Sequence, residues 1–137
     1  MIELNIQKPK EMSKLALHII LLNKSGAIEL KPDLLVIQNK LIQFDLSKLD
    51  QGQRILLVLE KQANDGGRIC ADVRKDNQNL IQAECTLTPD SQFHELGFFY
   101  QNNTSTHAID ELTPCVYFSD KEFTELDKLK QSKLVVL

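Results

Sequence analysis

Apolar residues in this chain come in short bursts separated by turn formers, and the longest uncharged burst is LALHIILL, Leu15 to Leu22. Punctuation at that interval suits strands joined by turns. Two segments also carry the strand period directly. MIELNI puts Ile2, Leu4 and Ile6 on one face. In LIQAECTL, Ile81, Ala83, Cys85 and Leu87 oppose Leu80, Gln82, Glu84 and Thr86, so the first set should face a core. KDNQN, Lys75 to Asn79, turns the chain into that second strand. LGFFYQNNTST reads as an aromatic strand running into a polar loop, and CVYF after Pro114 as another short strand.

The clearest hairpin signal is RILLVLEKQ, then ANDGG, then RICADVRK, because Asp65, Gly66 and Gly67 supply the positive φ that tight turns need. IQFDLSKLDQGQRILLVLE, residues 42 to 60, holds two apolar runs around a polar connection. There Asp45 and Asp50 act as turn carboxylates, Gly52 eases the chain into the next strand, and Leu46 and Leu49 pin the connection to the core.

Two segments carry a helical period. Met12, Leu15, Ala16, Ile19 and Leu22 recur at helix spacing behind Pro9. LALHIILL also suits a strand buried on both faces, with NKSG as its hairpin turn, and the strand-like neighbours favour that reading. In SDKEFTELDKLKQSK, Ser119 and Glu122 form a capping box. Phe123, Leu126 and Leu129 keep helical spacing there, and lysines close the segment as the helix dipole prefers. A helix is expected over about 120–132. The apolar end, Leu134 to Leu137, should dock as an edge strand in its own sheet or in another copy.

With 137 residues, 42% hydrophobic and 26% charged, the chain can bury one core and too little for two. No repeat or linker divides it, so residues 1–137 are expected to form a single antiparallel β-sandwich of about 8 to 10 strands with one C-terminal α-helix. A net charge of −3, from 16 basic and 19 acidic residues, gives no electrostatic footprint for nucleic acid. Nothing is long and apolar enough to span a membrane, and MIELNIQKPKEM does not read as a signal peptide. Cys70, Cys85 and Cys115 lack metal-binding spacing and read as reduced, mostly buried thiols of a cytoplasmic protein.

Catalytic and metal signatures are missing. His18, His94 and His107 form no metal or triad spacing, and His94 and Glu95 would point to opposite faces of a strand. The aspartates fall singly in turns, and no serine sits in a nucleophile motif. The expectation is no catalytic residue, no metal and no cofactor. What remains is recognition. Phe98, Phe99 and Tyr100 concentrate aromatic area on one strand, and Asn102, Asn103 and His107 follow in its loop. Phe98, Phe99, Tyr100, Asn102 and Asn103 are therefore the candidate binding residues. They would serve either protein contact, with a partner or a second copy, or a small ligand or carbohydrate.

Phe44-Asp45-Leu46-Ser47-Lys48-Leu49-Asp50 followed by Ile55 to Leu59 resembles the TerD-like bacterial stress and tellurium-resistance family. In that family an apolar strand ends in a D-L-x-x-[LVM]-P-like element before a strongly apolar central strand. His94-Glu95-Leu96-Gly97-Phe98-Phe99-Tyr100 is similar to its later L-G-E-L-Y-like strand, so the likeness covers roughly residues 42 to 103. It implies a β-sandwich and a role in bacterial stress response. The family's acidic calcium motifs should precede the D-L element, but KSGAIELKPDLLVIQNK offers only Glu29 and Asp33, so no metal ligand is implied. Together these readings lead to a non-catalytic intracellular binding or adaptor domain.

Overall fold

A computed structural model describes residues 2–12, 14–50, 52–61, 66–88, 90, 92–100, 114–116 and 121–137, with the backbone alone at 81, 97–100 and 114–116. Its strands are β1 (Ile2–Gln7), β2 (Leu15–Asn23), β3 (Gly26–Ile28), β4 (Leu35–Gln38), β5 (Leu41–Phe44) and β6 (Arg54–Lys61), followed by β7 (Gly67–Lys75), β8 (Gln78–Leu87), β9 (Phe93–Tyr100), β10 (Pro114–Val116), β11 (Lys121–Glu122) and β12 (Lys133–Val136). They form two antiparallel sheets. Sheet A runs β4-β5-β1-β7-β8. Sheet B runs β10-β9-β6-β2-β12, with β11 also on β9 and β3 also on β2. The all-β sandwich expected from the sequence is what forms. Several strands are shorter than the turn spacing suggested, so the described residues hold twelve rather than eight to ten.

Period-two burial explains the packing between the sheets. Ile2, Leu4 and Ile6 of β1, Ile69, Ala71 and Val73 of β7, and Cys85 and Leu87 of β8 face inward from sheet A. Leu15, Leu17, Ile19 and Leu21 of β2 and Ile55, Leu57 and Leu59 of β6 meet them from sheet B. The outward face of sheet A is polar. There Gln43 Nε2 donates to Glu3 Oε1 at 3.0 Å, and Arg68 Nε lies 3.4 Å from Glu84 Oε2. Cys70 lies half-buried on this outer face, with its Sγ 3.8 Å from Glu84 Oε1, whereas Cys85 is buried as expected. The side chain of Cys115 lies outside the description.

β2 and β6 are each buried along both faces, which resolves the ambiguity of LALHIILL. A strand covered on both sides is apolar throughout and loses the alternation that distinguishes it from a helix. NKSG is the β2–β3 turn, with Asn23 paired to Gly26. Asp76 and Asn77, at φ of 50° and 64°, form the β7–β8 turn. Two consecutive positive-φ residues are the signature of a tight hairpin turn whose twist matches the strands, and Asn and Asp tolerate it.

The ANDGG hairpin does not form. β6 pairs with β2 and β9 in sheet B, while β7 pairs with β1 and β8 in sheet A, so the connection between them crosses the sandwich. Asp65 lies outside the described residues. Gly67 already belongs to β7, and a Cβ there would come within 3.2 Å of Pro9 Cγ, so close approach rather than turn geometry favours glycine. DLSKLDQGQ is likewise a crossing, from β5 in sheet A to β6 in sheet B. Its first part is a short 3-10 turn, Leu46–Lys48, capped by Asp45, whose Oδ1 accepts from the Ser47 N–H at 3.2 Å and the Ser47 hydroxyl at 2.6 Å. Leu46 and Leu49 are buried, and Gly52 takes φ +80°. Lys31 ties the crossing to the β3–β4 connection through Asp50 Oδ2 at 2.8 Å and the Lys48 carbonyl at 2.7 Å.

The C-terminal α-helix is replaced by a 3-10 turn, Leu126–Gln131. Lys121 and Glu122 pair with Glu95 and His94 at the β9 edge, and β12 pairs with β2 at the opposite edge. In the order β11-β9-β6-β2-β12 these ends stand four strand spacings apart, about 19 Å at roughly 4.8 Å each. An α-helix over the intervening ten residues would reach only about 15 Å. Extended chain and the longer rise of a 3-10 turn bridge that distance. Pairing of Glu122 into a strand also removes it from any capping box, and Ser119 lies outside the described residues. The apolar C-terminus does dock as an edge strand, in its own sheet.

Two outcomes test this packing. Leu57 is fully buried at the centre of sheet B, so Leu57→Ala is expected to cost about 2–5 kcal/mol in urea unfolding. The Ser47 hydroxyl, followed by its backbone N–H and nearby Lys48, holds the Asp45 carboxyl below its ordinary value of 3.8. A depressed folded-state pKa means that Asp45 contributes fully above the ordinary carboxylate range and loses that contribution as pH falls through the lower value. Ser47→Ala should therefore raise the Asp45 titration midpoint measured by carboxyl-carbon NMR. An unmoved midpoint would assign the shift to something other than this turn.

Candidate functional site

Sheet B would leave an apolar outer face in water if nothing covered it. Ile20 and Leu22 of β2 and Leu56 and Val58 of β6 point outward there, and the segment 121–133 lies over them as a strap. Phe123 is buried in this layer, with Leu129 and Phe93 packed against it. Leu126, the middle member of the apolar triplet read from the sequence, is 49% exposed.

Where the strap descends to β12, three side chains meet that are far apart in sequence. Period two puts His18 and Glu60 on the same outer face of adjacent strands. His18 Nε2 lies 2.7 Å from Glu60 Oε1, and His18 Nδ1 lies 3.0 Å from Ser132 Oγ. The Ser132 hydroxyl also reaches the Leu129 carbonyl at 2.7 Å. With one ring proton on Nε2, imidazole donates to Glu60 and accepts from the Ser132 hydroxyl. With two, Nδ1–H donates to Ser132 Oγ and that hydroxyl donates to Leu129. Either arrangement leaves both ring nitrogens and the Ser132 hydroxyl partnered, so the trio fixes the root of β12 in both protonation states. The trio has the composition of a hydrolytic triad, and in this fold it ties the strap, through Ser132, to His18 and Glu60 on the sheet.

β12 beyond this anchor is the exposed edge of sheet B. Among the described residues it pairs with β2 alone. Leu137 N–H donates to the Leu15 carbonyl at 2.8 Å. Antiparallel alternation then directs the backbone groups of Val135 and Lys133 toward β2, and those of Leu134 and Val136 away from it. The side chains of Leu134 and Val136 are 53% and 60% exposed, the most exposed large apolar residues described. Beside the edge lies a groove of about 370 Å³ lined by Leu30, Lys31, Pro32, Leu35, Ile37 and Lys133, between β12 and β4. Leu30, Leu35 and Ile37 are its apolar floor, continuous with the core. Lys31 is committed to Asp50, whereas Lys133 makes no ion pair among the described residues.

The residues singled out from the sequence lie elsewhere. The backbones of Phe98, Phe99 and Tyr100 lie in β9, paired with β10 on one side, and Phe98 also pairs with Ile55 of β6. Their side chains, and Asn102, Asn103 and His107 entirely, lie outside the described residues. His94 pairs with Leu59 and Glu95 with Val58, so the two do face opposite ways, His94 buried on the inner face. Lys61, also buried at that end of the sandwich, donates through Nζ to the Thr88 carbonyl. Among the described residues no group of three His, Cys, Asp or Glu side chains is placed to hold a metal ion, and no helix is long and apolar enough to cross a membrane.

Comparison with protein-family models, with curated proteins and with solved structures finds no match to this chain. The residues that matter most in the geometry were individually ordinary in the sequence. His18 sits in an apolar strand, Glu60 ends another, and Ser132 follows a lysine-rich turn. A period-two reading gives the first two a common face only once β2 and β6 are known to be neighbours.

Removing the imidazole leaves Glu60 and Ser132 short of a partner in a half-buried setting. His18→Ala is expected to cost about 1–3 kcal/mol in urea unfolding and to speed tryptic cleavage at Lys128 and Lys130. Leu57→Ala, matched for global stability, should speed that cleavage less. Equal cleavage in the two variants would show that His18 does not specifically hold the strap.

Proposed function

We propose that this chain is a non-catalytic intracellular binding domain that acts through protein–protein contact at the exposed edge formed by β12. The observation that carries this reading is the pairing of outward-facing backbone at Leu134 and Val136 with apolar side chains more than half exposed, beside an apolar groove. Edge strands of this kind are templates for a further strand, and small proteins usually shield them. The anchoring of β12 by the His18, Glu60 and Ser132 network supports the same reading, because a docking strand must be held in place before a partner arrives. The TerD-like resemblance of residues 42 to 103 supports a setting in bacterial stress response. The aromatic strand at Phe98 to Tyr100, with Asn102 and Asn103, remains a second candidate surface within this proposal.

The groove also favours a second reading, a small-ligand module. Its volume falls at the low end of the range of ligand pockets, about 300–1,000 Å³, and its floor is apolar. Ile37→Trp should fill the groove, abolishing capture of a small apolar ligand such as a fluorescent fatty-acid probe.

A photocrosslinker placed at Val136 is expected to form discrete adducts with protein partners in cells, lost on Leu134→Glu. The same crosslinker at Thr86, on the polar face of sheet A, should not form them. Identical adduct patterns from the two positions would refute the edge as the contact surface.

A further inference from the structure

Resting on the reading of β12 as a docking edge, we propose that its occupant is an extended segment of another protein, apolar in its middle and flanked by acidic residues, added to sheet B as a further strand. Two outward N–H groups and two outward carbonyls, at Leu134 and Val136, can pair with such a strand. Its side chains on one face would meet Leu134 and Val136, and those on the other would meet Leu30, Leu35 and Ile37 in the groove.

Charge selects the occupant. The chain as a whole is acidic, with a net charge of −3, yet exposed lysines without ion pairs surround this edge. Lys133 opens β12, and Lys130 lies in the turn that leads to it. Lys14 precedes Leu15, whose carbonyl holds Leu137, so it stands at the far end of the strand. None of the three forms an ion pair among the described residues. A second copy paired about Val135 would place Lys133 opposite the copy's Leu137, beside the copy's Lys14. Self-pairing therefore brings like charges together, while an acidic strand meets a lysine at each end. Lysine on an edge strand suppresses association with identical edges, and unlike charge across a rim raises the association rate and sets register.

The test uses the full chain and a fluorescein-labelled peptide of sequence Glu-Glu-Val-Val-Val-Glu-Glu, read by anisotropy. Controls are the same peptide with lysine for glutamate, and the acidic peptide N-methylated at the valines. The acidic peptide is expected to bind. The lysine and N-methylated peptides should not, and Lys133→Glu should weaken binding on the order of tenfold, with strong salt dependence. Thermal unfolding of Lys133→Glu checks that the exposed substitution leaves the fold intact, and Lys14→Glu provides an independent second variant. Equal binding of acidic and lysine peptides, or binding that survives N-methylation, would overturn the inference. So would failure of all three peptides to bind. A concentration-dependent dimer in sedimentation, lost on Val136→Asp, would keep the edge as a protein-contact surface but make a second copy its occupant, overturning the acidic-strand inference alone.

Discussion

Burial of sheet B on both faces is the constraint on which the rest of this structure depends. A sandwich needs only one apolar face per sheet, and sheet A follows that rule with a polar exterior. Sheet B does not, because β2 and β6 are apolar at every position from Leu15 to Leu22 and from Ile55 to Leu59, His18 excepted. At ~25 cal/mol per Å² of exposed apolar surface, an uncovered outer face would be strongly unfavourable in water. The strap supplies the cover with chain that begins on one edge of the sheet and ends on the other.

That solution has consequences at the edges. Each edge of sheet B is shared between two short strands, β10 and β11 on β9, and β3 and β12 on β2. Short, divided edges are poor templates for indiscriminate pairing. Among the described side chains of these edges, β12 is where exposed apolar groups and outward backbone coincide. The polar trio of His18, Glu60 and Ser132 sits at its root, so the same contact that closes the strap also positions the edge. Structural cover and the proposed docking surface are thus one element seen from two sides.

The β-sandwich, the strand at β2, the Asp76-Asn77 turn and the details of DLSKLDQGQ were legible in the sequence because each rests on local chemistry. Strand periodicity, positive-φ residues and a capping aspartate all act within a few positions. What was illegible depended on which sheet a strand joins. Asp65 to Gly67 read as a hairpin because glycine-rich turns between apolar runs usually are hairpins. Nothing near those residues records that β6 is occupied on both sides by β2 and β9. The C-terminal helix failed for a related reason: local spacing of Phe123, Leu126 and Leu129 was helical, but pairing of Lys121 and Glu122 to β9 and the span to β12 overrode a short helix of marginal intrinsic stability. The candidate edge was half legible. The apolar end reads as an edge strand from sequence alone, while its groove and its histidine anchor come from segments distant in sequence.

Native-state hydrogen exchange tests the central claim, that the strap and β12 belong to the same cooperative unit as the core of sheet B. The Leu137 amide, which donates to the Leu15 carbonyl, and the amides of β2 and β6 are expected to exchange only through global unfolding, with matching denaturant dependence. Rapid exchange of residues 121–137 while β2 and β6 stay protected would contradict it, because the outer face of sheet B would then be stable without its cover.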